Sequence, residues 1–202
     1  MKRRVLLLGL LAAPLAARAG AQVEEPLADA IRSALSASIA QSAPPRPKFE
    51  AHQVDARMAY LRWLGEMSER LKKRKTETQI RIEFLETVWY EAKRAGLEPS
   101  LVLFLVQVES GFRKYAISVA GARGYMQVMP FWTKAIGDGD ASRLFHMQTN
   151  LRFGCVILRH YLDIERGNLS LALGRYNGSR GRPEYPNAVL GARRQWLLAG
   201  ET

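Results

Sequence analysis

Glu109 closes a run of eight apolar or amide residues, Leu101 to Val108. A carboxylate in that position is pushed towards its protonated form twice, by desolvation against an apolar helix and by the negative end of the helix dipole. A carboxylic acid still protonated near neutral pH is a general acid, the group that cleavage of a glycosidic bond requires. The helix alone leaves a second reading open, a helix-terminal Glu that simply reaches solvent. After Glu109 the chain turns through Gly111, Gly121 and Gly124 and then reaches the compact group Tyr125, Met126 and Gln127.

Two-carboxylate glycosidases set a second acid several ångströms from the first. Between Glu109 and Tyr161 the only acids are Asp138 and Asp140, in Gly137-Asp138-Gly139-Asp140. That composition forms turns, so both are expected in a solvated turn and a single-acid mechanism fits better. His52, His146 and His160 are dispersed and show no ligand spacing with Cys or a carboxylate, so no metal site and no cofactor are expected. Cys155 is the only cysteine and lies in an apolar helical pattern. It cannot form an intramolecular disulfide and is read as a buried, inert thiol.

The elements that must hold Glu109 are helical. Leu27, Ile31, Leu35 and Ile39 recur every four residues, which predicts a short amphipathic helix, and Ala43-Pro44-Pro45-Arg46-Pro47 then reads as a linker. Apolar stripes predict helices over 54–73 and 77–95, the first closed by Lys72-Lys73-Arg74-Lys75, cations that suit a helix C-terminus. Gly96 suits the position just after the second, and Pro99 the first position of the third. Because 101–108 is apolar nearly all round, that helix is expected to be central and buried. The segment 111–129 is not helical in pattern, with extended pieces expected at 118–119 and 127–129. Helices are expected again over 131–136, 149–166, 170–176 and 188–198, with Thr149 or Asn150 as a cap and 180–186 as a loop. No internal repeat is present.

The chain has 202 residues, 48% hydrophobic and 24% charged, with a formal net charge of +11. Lys2, Arg3 and Arg4 precede the apolar stretch 5–17, and small residues follow at Ala17, Ala19 and Ala21. This is the pattern of a secretory signal peptide, cleaved near Ala19 or Ala21. Thirteen apolar residues containing Pro14 fall short of the roughly twenty that a spanning helix needs, so no stable membrane insertion is expected after signal removal. Loss of 1–21 removes four cations and no acid, taking the net charge from +11 to +7. A basic exported protein favours an anionic polymer such as the cell wall over nucleic acid.

Glu109-Ser110-Gly111-Phe112, followed by Ser118-Val119-Ala120-Gly121-Ala122-Arg123-Gly124-Tyr125-Met126-Gln127, resembles the signature of the soluble lytic transglycosylases of family-1 SLT type. Asn150-Leu151-Arg152-Phe153-Gly154 with Ile157-Leu158 resembles that family's third motif, and Ala172-Leu173-Gly174-Arg175-Tyr176-Asn177-Gly178 its fourth. Tyr185 and Val189 sit where the family has a trailing tyrosine–valine element. The resemblance covers about 80–195, with four motifs in order. Tyr125 stands where the family more often has leucine, Gly174-Arg175 replaces a small pair, and Gly178-Ser179-Arg180-Gly181 replaces the commoner run after Asn177.

The resemblance implies a mainly α, lysozyme-like (SLT-type) domain with a short irregular or β-like segment after the catalytic helix. Together with the signal pattern and the Pro-rich break, it divides the chain into a signal peptide (1–21), an N-terminal helix and Pro-rich linker (22–50) and a catalytic domain (51–202, core 80–195). It implies a periplasmic enzyme, expected to be monomeric, that acts on peptidoglycan glycan strands. Such an enzyme cleaves the β-1,4 bond between N-acetylmuramic acid and N-acetylglucosamine, leaving a 1,6-anhydromuramoyl end. Glu109 then matches the catalytic acid, serving as acid and afterwards as base. Ser118, Met126 and Gln127 match positions lining the saccharide groove, Tyr176 and Asn177 those closing it near the acid, and Tyr185 the trailing tyrosine. Gly124, like Gly121, would let backbone approach the sugar closely. Met126 and Tyr176 keep a plain reading as core residues. A hydrolytic muramidase and a non-catalytic wall-binding module are the competing functions.

Overall fold

The computed structural model describes residues 22–40 and 47–198. The signal-like segment 1–21 and most of the Pro-rich linker, Ala43 to Arg46, lie outside the described residues. Among the described residues the chain is mainly α, as expected. Its helices are α1 (Asp29–Ala40), α2 (Val54–Leu71), α3 (Thr78–Arg94), α4 (Pro99–Ser110), α5 (Phe131–Ile136), α6 (Met147–Ile164), α7 (Leu169–Asn177) and α8 (Glu184–Gly191), with 3-10 turns at Ala141–Phe145 and Arg193–Gln195. No described helix is long and apolar enough to cross a membrane.

The core is one continuous cluster. α6 lies at its middle, packed by α3 and α7, while α4 packs between α3 and α8, and α2 covers α3. α4 begins with Pro99 at its first turn and ends at Gly111, whose φ of 57° is the left-handed conformation that stops a helix. Most of its side chains are buried, as its near-uniform apolarity requires. The segment 111–129 forms only isolated bridges, Ile117 to Arg123 and Arg123 to Val128. This is the β-like stretch expected after α4, reduced to its minimum.

Two expectations are corrected. The last helix begins at Glu184 and ends at Gly191, not at 188 and 198. Pro186 falls in its first turn, where backbone N–H groups have no intrahelical acceptor and a proline removes nothing. α6 begins at Met147, and its cap position, His146, makes no side-chain cap hydrogen bond. Asn150 is therefore inside the helix and wholly buried. The basic cluster after α2 is only partly solvated. Lys75 donates to the Tyr125 hydroxyl at 2.7 Å, and Arg74 donates to Gln107 at 3.1 Å and lies over the rings of Phe112 and Trp196.

Candidate active site

Glu109 occupies the last turn of α4 and is 4% exposed. Oε1 accepts a hydrogen bond from the hydroxyl of Tyr185, on α8. Oε2 is buried with no hydrogen-bond partner. Burial pushes the carboxyl up to about 8, and the Tyr185 hydrogen bond opposes that shift without cancelling it. The acid is thus protonated at neutral pH, with one oxygen held and the other uncommitted. Tyr185 does not serve as an exposed wall residue: at 2% exposure it is enclosed with the acid.

The loop facing the acid is built around its glycines and Asn150. Ser110 donates to the Tyr125 carbonyl at 2.7 Å, tying the end of α4 to the loop. Gly124 has a φ of 76°, and a Cβ there would come within 2.4 Å of Asn150 Nδ2. That close approach lets Asn150 accept from the Met126 N–H at 2.8 Å and donate to the carbonyls of Arg123 and Leu144 at 2.8 and 2.9 Å. Gln127, at a φ of 46°, donates from Nε2 to the carbonyls of Ala116 and Gly124. Ser118 is half-buried and closes a turn, its hydroxyl accepting from the Ala122 N–H at 3.1 Å.

Tyr176 and Asn177 end α7. The Tyr176 hydroxyl donates to the Met126 carbonyl at 2.7 Å, and burial, reinforced by Glu109 once that group is ionised, holds the phenol well above its ordinary pKa. Asn177 donates to Ser179 at 3.1 Å, while its Oδ1 is buried and unpartnered. The Met126 side chain packs against α6 so closely that a Cβ on Gly154 would meet its sulfur at 2.3 Å. Of the two readings open for Met126, the structure favours the core one.

Glu109, Tyr185, Tyr176 and Met126 therefore form one connected group, with Gln127, Gly124 and Ser118 shaping the adjoining loop. The sequence reading misplaced Asn150 as a helix cap, although its place at the head of the third motif was a signal. Asp138 and Asp140 lie in the expected turn. Asp138 pairs with Arg143, and Asp140 accepts from Ser142. Neither contributes to the shift of Glu109. Cys155 is buried, its thiol pushed up by desolvation. Among the described residues no group of three or more His, Cys, Asp or Glu side chains is gathered to hold a metal ion.

Comparison with known proteins places this arrangement. The chain is 39% identical over 84 residues to membrane-bound lytic murein transglycosylase C of Actinobacillus pleuropneumoniae, covering 38% of this chain and 23% of that protein. It is 33% identical over 97 residues to the transglycosylase of Enterobacteria phage PRD1, covering 48% of this chain and 35% of that one. A solved structure of an inactive mutant of the lytic transglycosylase Slt from Pseudomonas aeruginosa matches 72% of this chain and 24% of its own, at 27% identity and a TM-score of 0.44. The matched region thus spans about a quarter to a third of these proteins. The model of the transglycosylase SLT domain matches residues 86–196, more than half of the chain and all of the site just described. The chain belongs to the transglycosylase SLT domain family.

Proposed function

We propose that the chain is a peptidoglycan lytic transglycosylase that cleaves the β-1,4 bond between N-acetylmuramic acid and N-acetylglucosamine. The observation that carries this reading is the buried, protonated Glu109, with one oxygen held by Tyr185 and no second carboxylate acting on it. In the first step Glu109 gives its proton to the glycosidic oxygen as the C1–O bond breaks, and the substrate's 2-acetamido group stabilises the charge developing at C1. In the second, the muramic C6 hydroxyl attacks C1 and its proton returns to Glu109. The product is a 1,6-anhydro ring, water is not consumed, and the acid is regenerated.

In this reading Tyr185 orients the acid and Tyr176 and Asn177 close the groove beside it. Ser118, Gly124 and Gln127 form the loop along which the glycan lies, with Met126 supporting it from behind. Residues 1–21 serve as an export signal, residues 22–50 precede the catalytic domain, and the mature protein works as a periplasmic monomer. One of the similar proteins is named a membrane-bound lytic murein transglycosylase, which supports an envelope setting.

The test is mass spectrometry of fragments released from purified sacculi. Anhydromuramoyl ends are expected from the wild type, and Glu109→Gln is expected to release nothing while keeping its circular dichroism. Reducing ends would replace the transglycosylase with a hydrolytic muramidase. Full release by Glu109→Gln would remove the acid from its role.

A further inference from the structure

Residues 22–28 run without regular structure into α1, yet their start is buried. Gln22 is 4% exposed, and its Oε1 accepts from the Met129 N–H at 3.3 Å. Its carboxamide faces the Tyr176 hydroxyl, while Nε2 is buried without a well-formed hydrogen bond. Three residues on, both oxygens of Glu25 accept from Arg175 Nη1, at 2.7 and 2.9 Å.

Arg175 is one of the positions at which the chain departs from the SLT pattern, and two others, Gly174 and Arg180, join it. Arg175 and Arg180 share the carboxylate of Glu165, at 2.8 and 2.6 Å. Gly174 allows the Arg180 backbone to pass, since a Cβ there would come within 3.1 Å of the Arg180 Cα. These departures form one ion-paired unit beside Tyr176, and that unit grips Glu25.

The rest of the segment is only partly buried. Leu27, Leu35 and Ile39 pack against the core, and α1 rests on α5 and α6, but no α1 side chain is fully buried and a cavity of about 780 Å³ lies beneath it, bordered by Leu27, Ile31, Leu35, Val156 and Ile164. Its far end is anchored, with Arg94 and Arg152 donating to the carbonyls of Ser38 and Ile39. The segment thus has a fixed end at 38–39 and two releasable pins at Gln22 and Glu25.

We propose that residues 22–28 form a built-in strap that occupies the groove at Met129 and Tyr176 and must lift before a glycan enters. The inference rests on the reading of this groove as a glycan site. A carboxamide and an acetamido group offer the same carbonyl acceptor and N–H donor, so the strap and an N-acetylated sugar compete for one set of partners. Rupture of the Glu25–Arg175 pair would release the strap, with α1 turning about its anchored end.

The experiment compares the wild type with Gln22→Ala/Glu25→Ala, and with Glu25→Lys alone, which sets two cations against each other at a half-exposed position. Circular dichroism verifies the fold of each. Two quantities are read: fragment release from purified sacculi, and hydrogen exchange of the Met129 amide without glycan. If the strap is closed about nine-tenths of the time, release rises roughly tenfold in both variants, and the Met129 amide exchanges faster in both. Equal release by active wild type and variants overturns the strap and leaves the function standing, as does unchanged exchange at Met129. No release by any form overturns the functional reading, and the strap with it.

Discussion

The hydroxyl of Tyr185 donates to Glu109 across 76 residues of sequence, joining the last α-helix to the end of the most buried one. Among the described residues it is the one hydrogen bond given to a carboxyl that burial otherwise keeps protonated. A donor to a carboxyl oxygen stabilises the charged form more than the neutral one. Tyr185 therefore moderates the acid while fixing its orientation.

Tyr185→Phe removes that donor without removing the ring. The pKa of Glu109 is expected to rise further, moving the alkaline limb of the pH–rate profile upward. The acid also loses its fixed direction, so the rate is expected to fall roughly tenfold or more. Leaving both carboxyl oxygens buried and unpaired costs about 1–3 kcal/mol of stability. Pre-steady-state rates across pH, with urea unfolding of the same variant, check both effects. An unshifted profile would remove Tyr185 from its role.

Glu109 also couples stability to pH. In the folded protein its carboxyl titrates at about 8, against an ordinary value of 4.5. Between these values the folded state keeps a proton that the unfolded chain has lost. The stabilisation from this proton is fully present below about 4.5. It falls by up to about 1.4 kcal/mol per pH unit as pH rises, levelling off above about 8. Glu109→Gln cannot ionise and lacks this slope, so the variant is expected to gain on the wild type steadily from pH 5 to pH 8. Urea unfolding of both proteins at several pH values measures the difference, and parallel curves would contradict it.

Asn150→Ala strands two buried backbone groups at once, the Met126 N–H and the Leu144 carbonyl, and takes one of two donors from the Arg123 carbonyl, which keeps the Val128 N–H. The expected loss is about 3 kcal/mol or more. Activity should fall with it, because the Met126 carbonyl is the acceptor for Tyr176. Chemical denaturation gives the stability, and sacculus digestion at a temperature where the variant remains folded gives the activity. A loss below 1 kcal/mol would mean that water replaces the side chain.

The elements that follow local rules were legible in the sequence. α4 could be read from Pro99, the apolar run and Gly111, and α5 from the apolar patch after Pro130, because each depends on neighbours within one or two turns. What could not be read depends on distant partners. Pro186 resembled the end of a loop because nothing local indicates that it occupies a first turn. Asn150 resembled a cap because caps and buried amides use the same side chain. The pairing of Gln22 with Met129 joins residues 107 apart, and no periodicity marks 22–26. Glu109 was identifiable as an acid from its own helix, but its hydrogen-bond partner belongs to a helix whose start the sequence did not reveal.

The separation of Glu109 from Tyr185 also orders events during synthesis. A chain emerging from its N-terminus completes α4 well before α8 exists to cover it. Until α8 docks, the carboxyl at the end of α4 lacks the Tyr185 hydroxyl that holds its Oε1. The geometry of the acid is therefore completed by the last part of the chain to be made.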